Sequence, residues 1–231
     1  MTTLLMNTSL KSFTSQFGKN IDSKICKLLK FRFSSILPGL VTILCVLISI
    51  TSRCQTQQLN YTITKGGDNI GWLRLEKNIA GNTTALSLIS EIKTRVIFLI
   101  NVFAKDSSIF ENRKMIYCSQ LRKTNGSTKF HKQTRLVEEK YEVSENGKKE
   151  NIAIPAISTN LLSLYFHEPI GINAVYCDVV KCFAPIVKTD DGGYKVKRPG
   201  GDSSTFYYSK GTCIKVIICQ SLYTVNIILN Q

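Results

Sequence analysis

Two Asn-Gly pairs, Asn125-Gly126 and Asn146-Gly147, constrain this chain more than any other feature in it. Segments of strand-like sequence flank each pair: residues 110–121 and 128–136 around the first, 140–144 and 149–154 around the second. Asn-Gly supplies the positive φ angles of a type I′ turn, whose twist matches that of two paired antiparallel strands. From Asn60 onward similar turn signals recur every ~8–12 residues, the spacing of an all-β sandwich or barrel. Further strands are expected at 61–64, 70–76, 84–93, 95–103, 174–180, 184–188, 194–197, 204–209, 213–219 and 222–229. Residues 96–100 form a continuous apolar run that suits burial on both faces. In 70–76, Ile70, Trp72 and Arg74 alternate with Leu73 and Leu75.

One segment departs from this pattern. Leu161, Leu162, Leu164 and Tyr165 follow a helical period, Ser158 or Thr159 can cap it, and Pro169 ends it. The fold expected is therefore all-β and mainly antiparallel: a strongly curved sheet or incomplete barrel, with one short helix near 158–166 that plugs or flanks it. With no internal repeat and no interior linker, 55–231 reads as one domain behind a short polar spacer at 55–58.

Residues 1–54 read as an N-terminal extension and signal peptide. The apolar run 36–50 is too short for a membrane span of ~20 residues, and Lys24, Lys27, Lys30 and Arg32 precede it. Ser52 and Cys54 place small side chains three and one residues before Gln55, which suits cleavage there. The alternatives are lipidation at Cys54, which Arg53 disfavours, and an uncleaved anchor. Signal-directed export puts the domain in the periplasm or cell envelope, touching membrane only through this leader.

The chain carries 30 Lys and Arg against 16 Asp and Glu, a net charge of +14. The leader holds seven of those bases and one acid, Asp22, so residues 55–231 carry +8. These charges are spread out, with no basic run longer than Arg122-Lys123 or Lys148-Lys149 and no stripe interleaved with stacking aromatics. Solvated lysines on outward strand faces explain them, and no nucleic-acid partner is expected.

Five cysteines fall in the domain: Cys118, Cys177, Cys182, Cys213 and Cys219. An oxidising compartment permits bridges, with Cys177–Cys182 and Cys213–Cys219 the local pairs. The second pair lies six residues apart on one expected strand, about 20 Å, beyond a disulfide's ~7 Å reach. Buried free thiols are the expectation. No C-x-x-C spacing occurs and His131 and His167 are the only histidines, so neither a metal nor a cofactor is expected.

Catalytic sets are equally sparse. His167-Glu168 has the composition of an acid–base pair, but neighbours in sequence diverge on a strand or helix. No G-x-S-x-G is present, and a thiolate at Cys118 or Cys177 has only Lys181 and Lys215 to stabilise it. Asp190-Asp191-Gly192-Gly193 has carboxylates for calcium but reads as a tight turn. Gly66-Gly67 and Gly200-Gly201 lack the strand–loop–helix setting of a phosphate loop. A structural corner over Tyr165, Phe166, His167, Glu168, Pro169 and Gly171 fits better, with Glu168 accepting backbone donors.

Tyr61, Gly71, Ser90, Arg95 and Phe110, then Leu164-Tyr165-Phe166-His167-Glu168-Pro169-Ile170-Gly171, Tyr194, Pro199-Gly200, Tyr207-Tyr208 and Gly211, form a familiar order. Over 58–231 the chain resembles a family of exported bacterial proteins, mainly from Bacteroidota, defined as domain of unknown function 6134. The resemblance implies a signal peptide and an antiparallel β domain, and it implies no activity. Three departures bear on local turns. Arg113 and Lys181 stand where the family usually has glycine, and Cys177-Asp178 where it more often has Ser-Glu.

The function expected is non-enzymatic: binding of an apolar or lipid-like ligand, or of an envelope component, in the curved sheet, with Trp72, Phe98 and Tyr165 lining the site. A structural or protein-interaction module with a solid core is the alternative, and an unrecognised hydrolase the third reading.

Overall fold

The structure, a computed structural model, describes residues 55–95, 99–221 and 223–230. The leader with Cys54, and Phe98 of the expected site, lie outside the described residues. Eight strands precede the plug segment: β1 (Gln55–Lys65), β2 (Asp68–Ala80), β3 (Thr83–Arg95), β4 (Leu99–Glu111), β5 (Lys114–Thr124), β6 (Ser127–Val137), β7 (Lys140–Glu145) and β8 (Lys148–Ile152). Six follow it: β9 (Ala174–Cys177), β10 (Cys182–Lys188), β11 (Tyr194–Lys197), β12 (Ser203–Ser209), β13 (Thr212–Gln220) and β14 (Tyr223–Leu229). All neighbours are antiparallel, in the order β8-β7-β6-β5-β4-β3-β2-β1-β14-β13-β12-β11-β10-β9. Two up-and-down meanders thus share one ladder, β1 on β14, where Tyr61 faces Leu229 and Thr64 faces Asn226.

The sheet is not closed into a barrel. Its edges are β8 and β9, and side chains span from one side of the gap to the other. Lys181, in the turn after β9, pairs with Glu150 of β8 and lies 3.3 Å from Glu145 of β7. Lys132 of β6 donates to the Val179 carbonyl at 3.0 Å. Four bulges, whose extra residues are Ile70, Ile116, Lys129 and Ile214, interrupt the registers. A bulge adds local twist and bend, which is how a long sheet acquires this curvature.

Between the meanders, Leu161–Tyr165 forms a single 3-10 turn instead of a regular helix. Asn160 caps it, not Ser158 or Thr159: its carboxamide oxygen accepts from the Ser163 amide at 3.2 Å, and the Ser163 hydroxyl accepts from the Asn160 amide at 3.1 Å. The turn is buried against the sheet, and Tyr165 stands edge-on between Tyr61 and Phe206, 5.6 Å from each ring. Buried tyrosine hydroxyls tie backbone to backbone. Tyr61 donates to the Cys213 carbonyl at 2.7 Å, and Tyr141 donates to Met115 while accepting from the Ile157 amide.

Several expected boundaries shift. Residues 55–58 belong to β1, paired with Ile79 to Glu76 of β2, and are not a spacer. The expected strand 95–103 falls partly outside the described residues, with β3 ending at Arg95 and β4 beginning at Leu99. The expected strand 110–121 is divided by a turn at Asn112 and Arg113, with φ of 49° and 64°. Lys181 also takes a positive φ, 56°. The backbone therefore takes the left-handed geometry at both positions where the resemblance leads one to expect glycine.

Candidate ligand cavity

The inward face of the curved sheet encloses a cavity of about 720 Å³. Its walls are apolar residues of β1–β4 and β12–β14, including Ile63, Leu73, Leu88, Phe206, Val216 and Ile227. Leu161, Leu162 and Tyr165 of the 3-10 turn contribute to its lining. Lys65, Thr94, Thr124, Gln220 and Tyr223 line it at or next to strand ends of β1, β3, β5, β13 and β14.

A polar arc crosses this apolar surface. Arg122 grips Asp106 with both guanidinium nitrogens, the Nη2–Oδ2 contact being 2.7 Å. Asn160 donates to the Ser108 hydroxyl at 2.7 Å, and the Cys118 thiol donates to the Asp178 carboxylate at 3.0 Å. Burial lifts the Asp178 carboxyl from 3.8 to about 6, and the Asp106 charge adds to the rise. Burial likewise pushes the Cys118 thiol well up, reinforced by Asp178, which disfavours the thiolate. Gln120 and Arg198 complete the arc.

Of the expected lining residues, Tyr165 faces the cavity and Trp72 does not. Trp72 is 42% exposed on the outer face, beneath the Arg74 guanidinium. The reason is the bulge at Ile70. It turns Ile70 to the same side as Leu73, so Ile70 lines the cavity while Trp72 points away. The arc of Asp106, Gln120, Arg122 and Arg198 had no motif in the sequence. These residues come from β4, β5 and the β11–β12 turn, and only the curvature brings them together.

Tyr165, Phe166 and Pro169 of the corner are buried and His167 is exposed. Gly171 has a positive φ of 73°. Glu168 accepts the Tyr194 hydroxyl at 2.7 Å, where backbone donors had been expected. Asp191 accepts from Tyr207 at 2.8 Å within a tight turn closed by the Thr189 amide on Gly193. Cys177 and Cys182 stand opposite each other across β9 and β10, yet all five cysteines are free. Among the described residues no group of three His, Cys, Asp or Glu is placed to hold a metal ion.

The model of the family described as Domain of unknown function (DUF6134) matches residues 61–230. A solved structure, the beta-barrel-like protein of domain of unknown function DUF1849 from Brucella abortus, is similar at 10% identity and a TM-score of 0.49. The match covers 75% of this chain and 95% of that one. No curated protein matches.

Proposed function

Because the chain belongs to the family defined as Domain of unknown function (DUF6134), which brings no reaction with it, we propose a function from the cavity itself: non-enzymatic binding of an apolar or lipid-like ligand. The observation that carries this reading is the volume of about 720 Å³ inside a domain of this size. Ligand sites typically span ~300–1,000 Å³ with apolar walls and a few convergent polar groups. Tyr165 is the expected site residue that the reading keeps. A solid-core module leaves such a space unexplained, and a hydrolase reading would have to build on the exposed Ser119–His131 contact of 3.5 Å, which is outside the cavity lining.

The leader at 1–54 and the resemblance to exported Bacteroidota proteins support delivery to the periplasm or cell envelope, with cleavage near Gln55. An envelope location also supplies ligands of the proposed class, since acyl chains are abundant there.

Titrating the purified protein with uncharged n-alkanols from hexanol to decanol tests the reading. Each buried methylene is worth about 0.8 kcal/mol, so affinity rises roughly fourfold per added carbon until the cavity is filled. Absence of binding, or affinity indifferent to chain length, rejects it.

A further inference from the structure

We infer that Arg198 anchors an anionic head group, so that the cavity takes a long-chain amphiphile bearing a carboxylate or phosphate. The inference rests on the cavity being a ligand site and deepens that reading. Arg198 lines the cavity from the β11–β12 turn, and its Nη2 is buried with no hydrogen-bond partner among the described residues. Its backbone amide donates to the Asp202 carbonyl at 2.9 Å, so on this half-buried residue the unpartnered group is the guanidinium Nη2.

The surrounding charges make the vacancy specific. Three acids line the same cavity: Asp106, Asp178 and Asp202. Asp106 is committed to Arg122 by a two-pronged contact, and Asp178 accepts from the Cys118 thiol. Neither Asp178 nor Asp202 forms an ion pair with Arg198 among the described residues. A guanidinium cannot shed its proton to escape burial, and leaving it unpaired is costly. Its planar fork matches carboxylate and phosphate oxygens.

Gln120 supplies a second orphan in the same cavity, since its buried Oε1 also lacks a partner. Turning its amide over presents an N–H donor in that place. The apolar lining of the cavity includes Leu162, Phe206 and Val216, which suit an acyl tail. The polar arc thus selects the head while the apolar walls hold the chain.

Competitive titration with decanoate, decyl phosphate and decanol at pH 8 tests the anchor. On the unmodified protein at least one anionic ligand is expected to bind roughly ten- to a hundredfold tighter than decanol, the range for a charge-assisted contact. Arg198→Gln should remove that preference, read as the ratio of anion to decanol affinity in the same variant, and Arg198→Lys should keep part of it. Equal affinities for all three ligands on the unmodified protein overturn the anchor while the apolar cavity stands. A preference that survives in Arg198→Gln does the same. Failure of decanol and both anions to bind removes the cavity reading and the anchor together. The unmodified-protein comparison decides the matter even if Arg198→Gln does not fold.

Discussion

Gly71 has no room for a side chain: a Cβ there would lie 2.1 Å from the Glu91 carbonyl oxygen and 2.9 Å from the Ile92 Cα. Both are backbone atoms of β3, so a methyl group can be accepted only by separating two paired strands beside the Ile70 bulge. Gly71→Ala is expected to destabilise the domain by about 3 kcal/mol, the upper range for overpacking, measured by urea unfolding. Asp178 carries a different burden. Its folded carboxyl titrates near 6 against 3.8 when exposed, so the folded protein holds a proton the unfolded chain has released. The stability this group contributes is complete below pH ~4 and is lost as pH rises through ~6. Asp178→Asn should therefore gain on the unmodified protein between pH 4 and 7, by on the order of 3 kcal/mol. Unfolding midpoints of the two proteins that run parallel across that window would reject the assignment. Gly71 was visible in the sequence only as one residue of the family resemblance. The role of Asp178 was not visible at all, because its partners Cys118 and Lys132 lie 60 and 46 residues away.

Hairpins were the most legible elements. At Asn125-Gly126 and Asn146-Gly147 the φ pairs are 50° and 81°, and 49° and 87°, and the turns join β5 to β6 and β7 to β8 as their residue types require. Gly126→Val places a β-branched side chain at a left-handed φ. It should cost about 1–2 kcal/mol, read as a lowered thermal midpoint, and the same substitution at an extended exposed position should not. The 3-10 plug was legible as a helical segment because four apolar residues break the alternation. Its cap was misplaced because Asn160 and Ser163 satisfy each other, a pairing that Ser158 and Thr159 only mimic in sequence. Bulges left no trace. Each inserts one ordinary residue, such as Ile70, and everything beyond it changes face, which is why Trp72 was expected inside.

At the scale of the molecule, charge follows the curvature. Outward aromatics lie under cations, Arg74 over Trp72, Arg135 over Tyr117 and Lys215 over Tyr207. Part of the +8 balance thus covers exposed rings with its long side chains. The edges are protected as well. β8 is short and charged, with Lys148, Lys149 and Glu150 exposed, and the Tyr176 amide of β9 is taken by the Thr159 carbonyl.

The shared ladder between β1 and β14 also sets an order in time. Every other strand pairs with its neighbour in sequence, so both meanders can form from local contacts as soon as their residues are available. Tyr61 opposite Leu229 is the exception, joining residues 168 apart, and such a closure bears the largest entropic cost in the chain. Until β14 docks, the inner faces of both meanders stand open to water. Deleting Tyr223–Leu229 should therefore leave strands that still give a β signal by circular dichroism but no cooperative thermal transition. A protein built this way acquires its interior last, with its final strand, and a nascent chain halted short of it has walls without a room.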